Sequence, residues 1–161
     1  MDEKITSLDE LRERVQVLKR AGKRIVFTNG CFDFLHIGHV RYLKAAKAHG
    51  DVLVVALNSD SSVGQIKGPS RPVVPENERA EVMAALACVD FVTVFDEPDP
   101  LMTIRSIMPH VLVKGADWAE GAIVGRDVVE GAGGQVVRIP ITEGISTSGI
   151  IEKILTDCGR K

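Results

Sequence analysis

Two histidines three residues apart, with a glycine between them, form the most distinctive pattern in this sequence. His36 and His39 flank Gly38 directly after an apolar segment. Side chains at positions i and i+3 share one face of a helix, and a helix N-terminus adds unpaired N–H groups and the positive end of the helix dipole. Two imidazoles at such an end suit a chain of phosphates, and a glycine lets a ligand approach the backbone closely. We therefore predict that this segment binds phosphate.

A structural role and a metal site are two alternative explanations of this pair of histidines. The histidines can be structural side chains whose hydrogen bonds are satisfied within the protein, which is the more common role of a single histidine. They can also bind a metal ion, but a zinc site needs at least three protein ligands, and no third ligand lies beside His36 and His39. The position of the pair, after the first of several alternating strands and helices, favours phosphate binding, and we predict no protein metal site.

The elements that position these residues alternate along the chain. Short apolar strands are predicted over 24–28, 51–57, 91–95, 111–113 and 136–139, with helices over 7–21, 38–49, 76–87, 100–108, 123–130 and 146–155. Ser7 and Glu10 form a capping box at the start of the first helix. Apolar strands separated by helices indicate a doubly wound parallel sheet, and 161 residues correspond to about one domain. We predict an α/β fold: one Rossmann-like domain over 1–161 with a five-stranded parallel sheet, entered through an N-terminal helix within 1–22.

Ligands of such sheets bind at the carboxyl ends of the strands, where this sequence has candidate residues after three strands. They are Gly30, Cys31, Phe32 and Asp33 after the first strand, Asn58 and Asp60 after the second, and Lys114, Gly115 and Asp117 after the fourth. We expect the first group to line a phosphate path, with Asp33 alternatively orienting the loop. The second group contacts another substrate or serves in a turn or helix cap. If the bound phosphate belongs to a nucleotide, we expect the third group to contact its base or ribose.

Hydroxyl and cationic side chains complete the candidate set. Ser146, Thr147 and Ser148 open the last predicted helix, where hydroxyls and free N–H groups suit phosphate oxygens or simply cap the helix. Lys67 and Arg79 are candidate phosphate-binding cations, with a solvated surface position as the alternative. Cys31 near a helix start can be reactive, but we do not expect it to act as a nucleophile.

Composition narrows the classes of function. Twenty Lys and Arg against 22 Asp and Glu give a net charge of −2, which argues against a nucleic-acid binder. No apolar run approaches a transmembrane length, and the start of the chain lacks the apolar core of a signal peptide. Three separated cysteines indicate a reducing compartment. We predict a cytoplasmic protein that acts on a small molecule and contacts neither membrane nor nucleic acid.

Four segments resemble a known enzyme family. His36–His39 resembles the His-x-Gly-His signature of a nucleotidyltransferase superfamily, and Glu143–Ile151 resembles its Ile-Ser-Thr element. Within the superfamily, Lys67–Pro72 and Leu112–Asp117 most resemble the adenylyltransferase domain that makes ADP-heptose, in its stand-alone form. The resemblance covers residues 25 to 155.

This resemblance implies a specific reaction. The family transfers AMP from ATP to D-glycero-D-manno-heptose 1-phosphate and releases pyrophosphate, for lipopolysaccharide biosynthesis. By analogy His36 and His39 hold the α- and β-phosphates, Lys67 assists catalysis, Arg79 is a cation for sugar phosphate or pyrophosphate, and Ser146–Ser148 hold the β- and γ-phosphates. Mg²⁺ accompanies ATP, held mainly by phosphate and water. The resemblance also implies a homodimer, and a separate sugar kinase that supplies the substrate.

A second enzyme family and a non-catalytic role remain open at this level. Glycerol-3-phosphate cytidylyltransferases share the Gly115-Ala116-Asp117-Trp118 pattern, and Trp118 favours them because the heptose enzymes often have tyrosine there. That family, however, has arginines where this chain has Ala87 and Ile141. The non-catalytic alternative is a nucleotide-binding module without turnover, and release of pyrophosphate distinguishes it from an enzyme.

Overall fold

The computed structural model describes residues 3–159 and contains the predicted alternation of strands and helices. The strands are β1 (Ile25–Gly30), β2 (Val52–Asn58), β3 (Phe91–Phe95), β4 (Val111–Gly115) and β5 (Gln135–Ile139). The helices are α1 (Leu8–Arg20), α2 (Ile37–Lys47), α3 (Asp60–Lys67), α4 (Glu76–Ala84), α5 (Leu101–Ile107), α6 (Arg126–Gly131) and α7 (Thr147–Lys153). A 3₁₀ turn follows β4 at Glu120–Ala122, and a π turn continues α7 over Ile154–Cys158.

The five strands form one parallel sheet in the order β3-β2-β1-β4-β5, which confirms the predicted fold class. The strand order reverses between β1 and β4. The whole of β1 pairs with β2, but only Val26 and Phe27 pair with β4. The carboxyl ends of β1 and β4 therefore separate, and this opening is the switch point at which doubly wound sheets bind ligands.

Helices cover both faces of the sheet because alternate strand residues point to opposite sides. In β1, Val26 packs in the cluster that contains Leu43 of α2 and Met83 of α4. Phe27 packs in the other cluster, with Leu11 of α1. All of these side chains are almost completely buried, and each contributes about 1.5–3 kcal/mol of hydrophobic stabilisation. Burial on both faces fixes the position of β1 in the sheet, and therefore also the position of the loop that follows β1.

Side-chain hydrogen bonds cap the N-terminal ends of helices α1 and α3. The capping box predicted at Ser7 is present, with the Ser7 Oγ accepting from the Glu10 N–H and Glu10 accepting from the Ser7 N–H. Helix α3 was not predicted. It is eight residues long, is mostly polar, contains Gly64 and is capped by the Ser59 hydroxyl, which accepts from the Ser62 N–H.

Within residues 3–159, no helix is both long and apolar enough to cross a bilayer.

Candidate active site

An open cleft of about 530 Å³ lies at the carboxyl ends of the central strands. Its walls come from the ends of β1, β2 and β4, the start of α2, the end of α3, and the loops before α5 and α7. Most predicted site residues line it: Gly30, Cys31, Phe32, Asp33, His36, Gly38, His39, Asn58, Lys67, Lys114, Gly115, Asp117, Ser146, Thr147 and Ser148. Asp60 and Arg79 do not. The fold thus brings segments more than 100 residues apart in sequence to one place.

The two histidines stack against each other at the start of α2. Their ring centroids are 3.8 Å apart with an interplanar angle of 21°, and Phe32 contacts His39 edge-on at 5.1 Å. His36 is the N-cap of α2, and its Nδ1 accepts from the Gly38 N–H at 3.1 Å. The Nδ1 of His39 accepts from the His36 N–H at 3.4 Å. Both rings are therefore oriented by backbone donors.

This arrangement assigns the state of each imidazole. A nitrogen that accepts a hydrogen bond carries no proton, so the neutral rings hold their proton on Nε2. Burial lowers the pKa of His36, while burial and then the neighbouring His36 lower the pKa of His39 to about 4. Both histidines are neutral at pH 7 before a ligand binds. Each presents one Nε2–H donor, the group that a phosphate oxygen accepts from.

Gly38 fits closely between the histidine pair and the loop before α7. A Cβ at this position would lie 2.9 Å from the His36 Cε1 and 3.1 Å from the Ile145 Cγ2. Any larger residue would move the His36 ring, so Gly38 keeps the ring in place.

Asp33 is fully buried and holds the loop between β1 and α2. Its carboxylate accepts from the Arg71 Nε at 2.7 Å and from the N–H groups of Val73 and Val74 at 2.8 and 2.9 Å. Arg71 also donates to the Asp33 carbonyl. Burial alone would raise the pKa of Asp33, but the two N–H groups and Arg71 outweigh it and lower that pKa. The carboxylate is thus occupied within the protein, and the orienting role fits it better than the predicted nucleotide contact.

Arg79 and Asp60 differ from the prediction of substrate contact. The Arg79 side chain is 1% exposed and donates to the carbonyls of Val74 and Cys31 and to the Asp60 carboxylate, at 2.9, 2.7 and 2.8 Å. It occupies the α4 face that also buries Met83. The guanidinium therefore supports the loop between β1 and α2 from behind, and Asp60 neutralises its charge.

Lys114 places a buried cation between β1 and β4. Its Nζ donates to the Asn29 Oδ1 and lies 5.5 Å from the centroid of the Trp118 ring. Burial lowers the pKa of Lys114 to about 8, although Cys31 and Asp117 oppose the shift. Asp117 folds back over Gly115, where a Cβ would lie 2.3 Å from its Oδ1. This wall combines a cation, a carboxylate and an aromatic ring.

The hydroxyls at the start of α7 have separate roles. The Ser146 Oγ caps the helix by accepting from the Gly149 N–H at 3.0 Å, which leaves its own proton for a ligand. Thr147 donates to the Phe34 carbonyl at 3.3 Å and so fixes the loop between β1 and α2. The Ser148 hydroxyl has no hydrogen bond within residues 3–159, so Ser146 and Ser148 remain available as donors.

Cys31 and Asn58 contact each other on the β2 side of the cleft. The Cys31 thiol donates to the Asn58 Oδ1 at 3.9 Å, and the Asn58 amide donates to the Ser62 hydroxyl at 3.0 Å. Burial raises the pKa of Cys31, so the thiolate is scarce at neutral pH. This agrees with the expectation that Cys31 is not a nucleophile.

Several cleft residues were not predicted. Arg71, Trp118, Asn29, Tyr42 and Asp99 all line the cleft. Tyr42 lies three residues after His39 on the same helix face, and its hydroxyl contacts the Thr28 Oγ1 at 2.7 Å, so helical spacing was an available signal. Arg71 and Asp99 lie in proline-rich loops, where sequence gives no periodicity.

The part of the chain that the structure describes holds no group of three or more His, Cys, Asp or Glu side chains arranged for a metal ion. The cleft does hold groups that can bind an anion, namely the imidazoles of His36 and His39 and the cations Lys67, Arg71 and Lys114.

Comparison with known proteins places this geometry in a family. Residues 27–153 match the family described as Cytidylyltransferase-like. The bifunctional protein HldE of Geobacter metallireducens is 52% identical over 160 residues, which cover 99% of this chain and 33% of that protein. The HldE of Geotalea uraniireducens is 54% identical over 155 residues, which cover 96% of this chain and 32% of that protein. The chain thus spans about a third of the length of these relatives.

A solved structure extends the comparison to three dimensions. The lipopolysaccharide core biosynthesis protein from Thermoplasma volcanium GSS1 superposes with a TM-score of 0.63 at 30% identity, covering 75% of this chain and 98% of that chain. Sequence, fold and cleft agree: this chain belongs to the cytidylyltransferase-like family.

Proposed function

We propose that this chain is an adenylyltransferase that converts ATP and D-glycero-D-manno-heptose 1-phosphate into ADP-heptose and pyrophosphate for lipopolysaccharide biosynthesis. One observation carries the proposal: His36 and His39 stack at the start of α2, in the cleft at the switch point, with Nδ1 of each ring held by a backbone N–H. Two fixed, neutral Nε2–H donors suit the crowded α-phosphate of a nucleotide. The similarity to HldE proteins and to a lipopolysaccharide core biosynthesis protein supports the choice of substrate.

The chemistry is one displacement at phosphorus. An oxygen of the sugar phosphate attacks the α-phosphorus of ATP, a new P–O bond forms, and the bond to the β-phosphate oxygen breaks. The electron pair leaves with pyrophosphate. No general base is required because the attacking phosphate is already ionised. Catalysis then consists of positioning and of stabilising the negative charge on the phosphoryl oxygens.

Each wall of the cleft supplies part of that stabilisation. His36 and His39 donate to the α- and β-phosphates, Ser146 and Ser148 to the β- and γ-phosphates, and Lys67 to the incoming phosphate. Gly30, Cys31 and Phe32 border the phosphate path, and Asp33 and Thr147 hold its loop. Lys114, Gly115 and Asp117 face the nucleoside. We expect Mg²⁺ to accompany ATP, and phosphate oxygens and water would be its main ligands.

Adenine as the base rests on the resemblance to the enzymes that make ADP-heptose, whereas one residue of the cleft bears on the alternative family. The alternative, a glycerol-3-phosphate cytidylyltransferase, has an arginine at the position of Ile141. Here Ile141 lines the cleft and is 55% exposed, so an apolar side chain takes the place of that cation. This difference supports the heptose enzyme over the cytidylyltransferase.

The partners are part of the same proposal. A sugar kinase supplies the phosphorylated acceptor, the chain acts as a homodimer, and both substrates are met in the cytoplasm. Size measurement in solution tests the dimer independently of activity.

The stereochemistry at phosphorus tests the mechanism. With one diastereomer of adenosine 5′-O-(1-thiotriphosphate) and heptose 1-phosphate, a single in-line displacement inverts the configuration at the α-phosphorus, and the product has the mass of the thio analogue of ADP-heptose. Retention of configuration would show a covalent intermediate and contradict the proposed displacement. Absence of any nucleotide product would favour a binding module.

A further inference from the structure

We propose that Arg71, together with Lys67, binds the phosphate monoester group of the acceptor, and that Asp33 orients Arg71 for this task. The inference rests on the proposed function and specifies its second substrate site. Arg79, the arginine that the sequence suggested as the partner of Lys67, is buried and fully engaged behind the loop. Arg71 lines the cleft instead.

The position of Arg71 follows from the strand order. The cleft has two sides, one at β4 with Lys114 and Trp118, the other at β2 with Asn58, Lys67 and Arg71. The histidine pair follows β1 and lies between them. Because the attacking and leaving oxygens lie in line across the α-phosphorus, the acceptor needs its own side of the cleft. The β4 side has the aromatic ring and carboxylate that suit a nucleoside, so the β2 side remains for the acceptor phosphate.

The guanidinium of Arg71 is held in one orientation. Its Nε donates to the Asp33 Oδ2 at 2.7 Å and its Nη2 donates to the Asp33 carbonyl. Its Nη1 has no hydrogen-bond partner among residues 3–159, and 14% of the side chain is exposed. A guanidinium has five N–H donors in a rigid plane. Two of its nitrogens therefore fix the plane, and the remaining donors are left for an anion in the cleft.

Lys67 supplies a cation on this side that can bind an anion. Asp33 neutralises Arg71, whereas Lys67 is exposed and makes no ion pair within the described part of the chain. Asp99 lies on the same side, with its Oδ1 accepting from the Leu101 N–H at 2.9 Å. Its second oxygen suits a sugar hydroxyl. A phosphate at Lys67 and Arg71, with hydroxyl groups toward Asp99, matches a sugar phosphate.

Substituting Arg71 separates this role from simple support of the loop. We compare Arg71→Lys and Arg71→Gln with Arg126→Gln, which removes a guanidinium that pairs with Glu120 and Glu130 away from the cleft. Pyrophosphate release gives KM for heptose 1-phosphate and for ATP. Losing charge-assisted hydrogen bonds from one group weakens binding by about ten- to a hundredfold. We expect Arg71→Gln to raise KM for heptose 1-phosphate by that factor, and KM for ATP by less than about threefold. Arg71→Lys is expected to raise KM for heptose 1-phosphate less than Arg71→Gln does. Arg126→Gln is expected to change neither KM value.

Binding without turnover keeps the test independent of the proposed reaction. Heptose 1-phosphate and, separately, inorganic phosphate are titrated calorimetrically into protein saturated with α,β-methylene ATP, which fills the nucleotide side. Weaker binding to Arg71→Gln and to Lys67→Gln supports the inference even if no pyrophosphate is released, in which case only the proposed reaction fails. Lys67 is exposed, so this variant remains informative if Arg71→Gln does not fold. Unchanged affinity in a folded Arg71→Gln variant, or equal increases in both KM values, would overturn the inference.

Discussion

Removing the His39 imidazole is expected to reduce kcat by about 10²–10³. The structure leaves this residue one free donor, because its Nδ1 accepts from the His36 N–H and only Nε2 remains for a phosphoryl oxygen. A fixed donor to charge that develops in the transition state contributes about 2.7–4 kcal/mol. His39→Ala removes this donor, while His39→Gln places an amide N–H near the same point. We therefore expect His39→Gln to retain more activity than His39→Ala.

The same substitution has a smaller effect on the fold. The ring contacts with His36 and Phe32 contribute about 0.5–1.5 kcal/mol each, and the 3.4 Å hydrogen bond is long. A loss of about 1–2 kcal/mol lowers Tm by roughly 2–8 °C for a chain of this size. Pyrophosphate release at saturating substrates gives kcat, and thermal unfolding gives Tm. His49→Ala, outside the cleft lining, is the control. A folded His39→Ala variant with kcat within a few-fold of the parent would refute the assigned role.

Three further predictions follow from particular groups. Lys114 is charged below its pKa of about 8, and we expect the charged form to bind the nucleotide. The value of kcat/KM for ATP then falls as pH rises through about 8, whereas Lys114→Gln has a lower value that does not change across the same pH range. Asp33→Asn breaks a buried ion pair and lowers the free energy of unfolding by about 3–5 kcal/mol in urea titration; a change below about 1 kcal/mol would contradict the role of Asp33 in holding the loop. Cys31→Ser is expected to keep kcat within about twofold of the value of the unsubstituted protein, because burial keeps the thiol protonated. A large loss of kcat would make Cys31 a candidate nucleophile again.

Periodic and local features of this protein were predictable from sequence. The strands are apolar runs, the capping box at Ser7 is complete within four residues, and His36 and His39 are close in sequence and on one helix turn. These patterns involve residues that are close together along the chain, so they can be identified without knowledge of the fold. The same reasoning located the cleft, because the carboxyl ends of parallel strands meet at one edge of the sheet.

Contacts across the chain were not predictable in the same way. Asp33 and Arg71 are 38 residues apart, and no local pattern marks Arg71 as the cation in the cleft. One signal was available: Arg79 lies four residues before Met83, on the buried face of α4. Helix α3 was missed because its polar sequence and Gly64 weaken the helical pattern, and its stability comes from the Ser59 cap and from packing.

The most direct test of the central claim is pyrophosphate release with heptose 1-phosphate and with glycerol 3-phosphate, each combined in turn with ATP, CTP, GTP and UTP. We expect strong release only for ATP with heptose 1-phosphate, and a product with the mass of ADP-heptose. Strong release for CTP with glycerol 3-phosphate would contradict it and assign the chain to the alternative with which it shares Gly115-Ala116-Asp117-Trp118. No release from any pair, by protein that still binds ATP, would contradict the assignment as an enzyme.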